Sequence, residues 1–189
     1  MELLKKRILK DGEIITDRIL KVDSFLNHQI DPYLIEEISS AFTYRFSDQI
    51  FNKILTVESS GIAPAVMTGF KLSIPVVFAK KNKPSTMIEN AFTATVHSYT
   101  KNSDYEISVS SKFIKKGDRI LIIDDFLANG SAARALISIA EQGGAKVGGI
   151  GIVIEKSFQN GGKLLREMGY RIESLARIES MSGNKIQFI

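Results

Sequence analysis

The sequence predicts an α/β domain in which a mostly parallel central sheet is flanked by helices. Short apolar runs that are typical of buried strands alternate with helical stretches of about 10 to 15 residues. Several strands pass through a turn of small or polar residues directly into the next helix. This alternation is typical of βαβ units, and ligands bind such sheets at the carboxyl ends of the strands. A length of 189 residues fits a single domain, residues 1–189.

The N-terminal residues 1–31 are predicted to form a small, irregular lobe. A short amphipathic helix opens the lobe and ends at residues 11–12. Four apolar side chains are expected on one side of this helix: Leu3, Leu4, Ile8 and Leu9. Residues 13–31 show no clear period. Pro32 is then typical of the first position of a helix, which is predicted over residues 32–47.

The core, residues 32–189, carries the alternating pattern. Strands are expected at 54–57, 75–79, 119–123 and 147–154. Helices are expected after the first, third and fourth of these strands: one over 62–72, one that ends at residue 142, and one over 162–168. Residues 80–112 break this rhythm, because a basic, loop-like segment over 80–85 precedes a hairpin with strands at 92–99 and 105–109. A long insertion of this kind is commonly a flexible lid or binding loop, and a plain surface hairpin is the alternative.

Composition excludes several classes of function. The absence of cysteine excludes a thiol nucleophile, a Cys-based zinc site and disulfides. No apolar run approaches the roughly 18 residues of a membrane-spanning helix, so a cytoplasmic protein is the expectation. The net charge of +4 suits an anionic ligand or nucleic acid, although many proteins carry such a charge without either.

The most informative motif covers residues 120–133. Four apolar residues form a buried strand, Asp124 and Asp125 follow at its carboxyl end, and a turn of small residues leads into a helix. Backbone N–H groups in such a turn, together with the helix dipole, favour an anion. The two carboxylates can accept hydrogen bonds from sugar hydroxyls, so the pattern suits a ribose 5-phosphate. Two solvated aspartates beside an ordinary helix cap are the plainer interpretation.

Two further strand ends carry candidate binding residues. Ser59, Ser60 and Gly61 form a tight turn that opens a helix, which suits either a second anion site or ordinary capping. Lys156 follows the fourth strand and can donate to a carbonyl of a ligand, while Phe158 can stack on a ring or lie in the core.

These residues together resemble the type I phosphoribosyltransferase family, whose PRPP-binding signature is four apolar residues, two acidic residues and a small-residue loop. The resemblance implies that Asp124 and Asp125 hold the ribose hydroxyls as catalytic residues. It implies that Ser59, Ser60 and Gly61 take the pyrophosphate. It also implies that the 5′-phosphate binds to the loop of residues Ala128, Asn129, Gly130, Ser131 and Ala132. The usual Thr-Gly and closing Thr or Ser are replaced here by Asn129-Gly130 and Ala132, so backbone amides carry more of the phosphate binding.

The loop at 124–130 and the segment 155–162 are most similar to those of bacterial xanthine-specific members of this family, and the likeness runs along the whole chain. It implies a hood lobe over the base, in which Leu20 and Asn27 contact xanthine together with Lys156 and Phe158. It also implies Mg²⁺ carried by PRPP rather than by a protein metal site, and a homodimer. The residues by themselves favour a core leucine for Leu20 and a surface asparagine for Asn27.

Three other features of the sequence bear on binding of a ligand or metal. Lys80, Lys81 and Lys83 can bring positive charge to the pyrophosphate, or they form a solvated basic loop. His28 and His97 have no carboxylate or histidine at ligand spacing, so neither predicts a metal site. The glycines of 148–152 lie within an apolar strand and do not complete a dinucleotide-binding fingerprint.

Two alternative functions stay open at the level of sequence. One is transfer of phosphoribose to another purine, namely hypoxanthine, guanine or adenine. The other is a regulator that binds PRPP and nucleic acid, although no basic face with interleaved aromatic residues is evident. A lysine that pairs with an oxygen present on xanthine predicts a preference for xanthine over hypoxanthine and guanine.

Overall fold

The computed structural model describes residues 1–81, 90–98, 103–183 and 185–189. The helices in these ranges are α1 (Glu2–Asp11), α2 (Pro32–Arg45), α3 (Ile62–Leu72), α4 (Ser131–Gln142) and α5 (Gly161–Glu167). The strands are β1 (Glu13–Ile14), β2 (Leu20–Lys21), β3 (Lys53–Val57), β4 (Val76–Lys81), β5 (Ala91–Ser98), β6 (Ser103–Ser110), β7 (Arg119–Leu127), β8 (Lys146–Lys156), β9 (Ile172–Ser182) and β10 (Lys185–Phe188). A π turn at Asp23–Asn27 and a 3₁₀ turn at Ser111–Phe113 complete them.

A single sheet of eight strands organises the described part of the chain, in the order β10-β9-β8-β7-β3-β4-β6-β5. The five central strands from β9 to β4 are parallel, while β10 and the β5–β6 hairpin extend the edges antiparallel. The predicted α/β fold with a mostly parallel sheet is confirmed. None of the helices in the described ranges is long and apolar enough to cross a membrane.

Helices cover both faces of the sheet, which explains why four consecutive apolar residues follow Arg119 in β7. Leu121 and Ile123 point into a core shared with the N-terminal helices, whereas Ile120 and Ile122 point into the core under α4. All four side chains are fully buried. A strand that is buried on both faces has no polar alternation, as parallel sheets require.

The predicted helix after residue 31 begins as its sequence indicates. Pro32 occupies the first turn, and the Asp31 carboxylate accepts a hydrogen bond of 3.2 Å from the backbone N–H of Leu34. This cap satisfies one of the free N–H groups of the first turn. Helix α3 has the bounds predicted for it, Ile62–Leu72.

Glycines in the middle of β8 allow helix α2 to lie close to the sheet. A Cβ atom on Gly149 would be 2.6 Å from the Phe46 ring, and one on Gly151 would be 2.9 Å from the Phe42 ring. Both phenylalanines are buried in the core. The glycine-rich run is therefore a packing feature, in agreement with the rejection of a dinucleotide fingerprint.

Two expectations for the elements were wrong, and two strands were missed. On α1, Leu4 and Ile8 are buried, but Leu3 and Leu9 are 40% and 59% exposed, because the helix packs on the core along a narrower stripe. Lys80 and Lys81 belong to β4 rather than to a loop, since they pair with β6. The strands β9 and β10 were not predicted.

The N-terminal lobe shares its core with the rest of the chain. The β1–β2 hairpin and the π turn bring four apolar side chains into the cluster that contains α2: Leu20, Val22, Phe25 and Leu26. The lobe is therefore fixed against the sheet and reaches the carboxyl end of β8, where Lys156 contacts its backbone.

Candidate active site

A cleft of about 890 Å³ opens at the carboxyl ends of β3, β7 and β8. The N-terminal lobe lies along one side of the cleft, and residues of the β5–β6 hairpin lie along another. This is the edge at which parallel α/β sheets bind ligands. The sequence motifs at the ends of these strands therefore meet in one place.

The acidic pair lies on the inner wall of this cleft. Asp124 and Asp125 are 5% and 8% exposed, and they lie within β7 near its end. The Asp124 Oδ1 atom accepts a hydrogen bond of 3.0 Å from the backbone N–H of Asp125. Burial and the neighbouring charge of Asp125 raise the pKa of Asp124 well above its ordinary value. Burial therefore disfavours the ionised form of this pair in the empty cleft, and positive charge on a ligand or transition state beside it would favour that form.

The small-residue loop follows immediately, and Ala128, Asn129, Gly130, Ser131 and Ala132 all line the cleft. Gly130 has a φ of 77°, a left-handed conformation that glycine adopts without strain. It is also the N-cap of α4, and it has no side chain to occupy the first N–H groups of the helix. Those groups are therefore available to an anion.

Helix α5 supports this loop from outside the cleft. The Gly161 N–H donates to the Ala128 carbonyl at 3.0 Å. A Cβ atom on Gly161 would be 2.5 Å from the Gly130 nitrogen, so only glycine allows this close approach.

The turn after β3 contributes unequally. Glu58 and Ser60 line the cleft, whereas Ser59 and Gly61 are not among its lining residues. A Cβ atom on Gly61 would be 3.1 Å from Asp124 Oδ1, which shows how close the start of α3 lies to the acidic pair. Glu58 Oε1 accepts a hydrogen bond of 2.5 Å from the Lys81 N–H and thereby joins this turn to β4.

The residues predicted to contact a base gather in the same cleft. Leu20, Asn27, Lys156 and Phe158 all line it. Lys156 Nζ donates to the Arg18 carbonyl of the N-terminal lobe at 2.7 Å and lies 5.1 Å from the centre of the ring of Phe126. Burial lowers the pKa of Lys156, and the negative charge of Asp125 opposes that effect.

The hairpin supplies residues that sequence reasoning missed. Tyr105 lines the cleft, the Lys81 ammonium lies 5.6 Å from the centre of its ring, and burial and the charge of Asp124 raise the pKa of Tyr105. His97 also lines the cleft, and the sequence analysis missed its carboxylate partner, because Nδ1 of His97 lies 2.5 Å from Asp104 Oδ1 across the hairpin. This pairing depends on strand register, which the sequence did not reveal. Lys83 lies outside the described residues.

Within the described ranges, no group of three or more His, Asp or Glu side chains is placed to hold a metal ion. The oxygen ligands that Mg²⁺ prefers are present in the cleft as the acidic pair and Glu58. These residues fit an ion that arrives with an anionic ligand and keeps part of its water shell.

The chain is similar over its whole length to curated proteins named xanthine phosphoribosyltransferase. The protein from Bacillus licheniformis is 55% identical over 189 residues, which cover 100% of this chain and 97% of the relative. The protein from Stutzerimonas stutzeri is also 55% identical, and the match covers 100% of both chains. No protein-family model matches the chain.

Solved structures with a similar fold include adenine phosphoribosyltransferases. The enzyme from Rhodothermus marinus has a TM-score of 0.75 and 21% identity, covering 94% of this chain and 99% of that one. The enzyme from Giardia lamblia complexed with 9-deazaadenine has a TM-score of 0.76 and 18% identity, covering 92% and 97%. At such identities the likeness establishes the fold alone, and it agrees with the fold predicted from the PRPP signature.

Proposed function

The chain belongs to the xanthine phosphoribosyltransferase family, and we propose that it transfers the 5-phosphoribosyl group from PRPP to xanthine. The products are XMP and pyrophosphate, as purine salvage requires. The observation that carries this proposal is the meeting of the acidic pair, the small-residue loop and Lys156 in one cleft. We place the reaction in the cytoplasm, because a phosphorylated sugar does not cross a membrane unaided.

PRPP fits the cleft with its 5′-phosphate on the loop from Ala128 to Ala132 and its ribose hydroxyls on Asp124 and Asp125. The unoccupied N–H groups at the start of α4 support the phosphate position. The pyrophosphate is then directed towards Ser60, with Ser59 and Gly61 shaping the turn, and towards Lys81. Mg²⁺ enters as part of the substrate, bound to the oxygens of PRPP.

The reaction is a displacement at the ribose C1 atom. A nitrogen of xanthine forms the new bond to C1, the bond from C1 to the pyrophosphate oxygen breaks with its electron pair, and the nitrogen then loses its proton. Positive charge develops on the sugar ring, as in glycoside hydrolysis. The negative acidic pair stabilises that charge, and the hood lobe limits access of water to PRPP.

The base is placed under the hood, between Leu20, Asn27 and Phe158, with Lys156 directed at the exocyclic oxygen on C2, which hypoxanthine lacks. Asn27 offers both a donor and an acceptor, which suits a base with carbonyl and N–H groups side by side. Lys156 already donates to a carbonyl in the hood, so a carbonyl of xanthine can compete for the same ammonium group.

The function is tested by measuring pyrophosphate release from PRPP and Mg²⁺ with xanthine, hypoxanthine, guanine and adenine supplied separately. Turnover with xanthine far above the others supports the proposal. Equal or higher turnover with another purine contradicts the assignment of the base.

The role of Lys156 is tested by Lys156→Met. Loss of the donor should remove most of the preference for xanthine over hypoxanthine, because polar recognition discriminates by on the order of 10⁴ and apolar fit by only about 10 to 200-fold. Lys163→Met, at a lysine that is 75% exposed on α5, is the control and should keep the preference. An unchanged ratio of kcat/KM values in Lys156→Met rules out this role.

We also propose that two copies form a homodimer. Three apolar side chains on α3 and the strand that follows it are exposed in the single chain: Val66 at 51%, Phe70 at 78% and Phe78 at 39%. Val66 and Phe70 lie one turn apart on the same face of the helix. Exposed aromatic residues of this kind are enriched at protein interfaces.

A further inference from the structure

A buried carboxylate, Glu155, is next in sequence to the proposed base-binding Lys156 and does not line the cleft. Glu155 precedes Lys156 at the end of β8, and since successive side chains of a strand point to opposite faces, it is directed away from the substrate. Its side chain is 2% exposed. A buried charge is costly unless it is paired, so the partners of Glu155 indicate what it holds in place.

Glu155 is paired with two separate elements. Arg166 of α5 donates from both terminal nitrogens, at 2.8 Å to each carboxylate oxygen. From β9, Ser174 Oγ donates at 2.5 Å, and Arg177 Nε lies 3.5 Å from Oε2. Burial acts to raise the pKa of Glu155, but the bonds from Arg166 and Ser174 outweigh it and lower the pKa. The carboxylate is therefore held as an anion.

The link to α5 continues into the small-residue loop. A Cβ atom on Gly162 would clash with Glu155 Oε1 and would lie 2.6 Å from Arg166 Nη1, so the first turn of α5 packs against the ion pair. The preceding residue, Gly161, donates to the Ala128 carbonyl at 3.0 Å and lies against the backbone of Gly130. Only two residues of α5 thus separate Glu155 from the backbone that is proposed to hold the 5′-phosphate.

We propose that Glu155 is a positioning residue for PRPP: through Arg166 it fixes α5, and α5 fixes the loop from Ala128 to Gly130. The inference rests on the proposed function, because it assigns that loop to the 5′-phosphate. The partners on β9 hold Glu155 itself but have no such contact with the loop. The two arginines therefore separate positioning of the loop from simple stabilisation of the fold.

The decisive comparison is Arg166→Met against Arg177→Met. The two side chains are similarly exposed, at 36% and 41%, and each substitution removes one cationic partner of Glu155. Arg166→Met should weaken ribose 5-phosphate binding, measured by calorimetry, on the order of tenfold, because displaced binding groups lose much of their effect. Pyrophosphate binding should stay within about twofold in both variants, and Arg177→Met should bind ribose 5-phosphate like the wild type.

The kinetic readout is the KM for PRPP. Loss of binding to a part of the substrate that does not react should raise this KM in Arg166→Met and leave kcat and the KM for xanthine close to wild type. Glu155→Gln should show the same pattern if it folds, and the arginine pair decides the matter if it does not. Equal effects of Arg166→Met and Arg177→Met, or no effect of either, overturn the proposal.

Failure of the proposed function would look different. Wild-type protein that does not bind ribose 5-phosphate would contradict the assignment of the loop to the 5′-phosphate, and the positioning role would fall with it. Wild-type protein that binds ribose 5-phosphate but does not turn over xanthine would contradict the base assignment alone, and the binding comparison would still decide the role of Glu155.

Discussion

Three buried or half-buried carboxylates in this chain differ in what surrounds them. Glu155 faces two arginines, and Asp118 accepts from Lys53 and from the backbone N–H of Lys115, so both have a lowered pKa. Asp124 has no comparable ion pair, and burial raises its pKa. Among these three carboxylates, the one whose ionised form is destabilised by the fold is therefore Asp124, which lines the cleft.

Asp124→Asn should stabilise the substrate-free protein at neutral pH while it reduces activity. The raised pKa means that the contribution of Asp124 to stability is full below the pKa of an unfolded aspartate and is lost as the pH rises through the folded value. An asparagine amide does not ionise, so the variant does not bear the cost of a buried charge. Its free energy of unfolding should therefore exceed that of the wild type by roughly 0.5 to 2 kcal/mol at pH 7. The value of kcat/KM should fall by on the order of 10²-fold, since electrostatic stabilisation is lost. Urea unfolding and steady-state kinetics measure the two effects.

Asp118→Asn is the matched control of opposite sign. Its carboxylate has a lowered pKa, so its contribution is present above the unfolded pKa and is lost as the pH falls through the folded value. The substitution should destabilise the protein by about 1 to 3 kcal/mol at neutral pH. A destabilised Asp124→Asn variant at pH 7 would contradict the account given for the cleft.

The sequence predicted the acidic pair because four apolar residues mark the strand that carries it. It did not predict the pairing of His97 with Asp104, because those residues meet only through the register of a hairpin. The partners of Glu155 come from α5 and β9, and β9 was not recognised as a strand. Local patterns therefore indicated which residues end a strand, while contacts between distant segments required the fold.

At the scale of elements, close packing of α2 on β8 depends on positions without side chains. The Phe42 ring occupies the space beside Gly151, where a Cβ atom would approach ring carbons at 2.9 and 3.0 Å. The large side chain at this contact therefore comes from the helix, and the strand has a glycine opposite it. The sequence showed the glycines but not the rings that face them, because the two segments are far apart in the chain.

Gly151→Ala should destabilise the protein by about 1 to 3 kcal/mol, since a tightly packed core has no room for the added carbon. A second replacement, Phe42→Leu, should recover part of that loss, with a coupling energy of about 1 kcal/mol in a double-mutant cycle followed by urea unfolding. Gly169→Ala serves as the control: its φ is 89° and no atom lies within 4 Å of the added carbon, so Phe42→Leu should not rescue it. Strict additivity of Gly151→Ala and Phe42→Leu would rule out the packing explanation.

At the scale of the whole molecule, the cleft is built from segments that are distant in the chain. The N-terminal lobe supplies Leu20 and Asn27, the hairpin supplies Tyr105, and the strand ends supply the acidic pair and Lys156. Parallel strand order explains why the sequence indicated a common location for the acidic pair and Lys156, since the carboxyl ends of parallel strands meet at one edge. The antiparallel pairings of β10 with β9 and of β6 with β4 follow no such rule, and the sequence did not predict either of them.

The proposed homodimer makes the exposed face of α3 the place to test assembly. Phe70→Glu should yield a monomer in analytical ultracentrifugation. Burying an unpaired carboxylate in an apolar interface costs more free energy than burial of the Phe70 ring contributes to association. Ile50→Glu, at a residue that is 80% exposed in the loop after α2, is the control and should leave the dimer intact. A wild-type monomer would contradict the homodimer, and a dimeric Phe70→Glu variant would move the interface to another face. Because the small-residue loop and the acidic pair belong to the same chain, the monomer should keep measurable binding of ribose 5-phosphate.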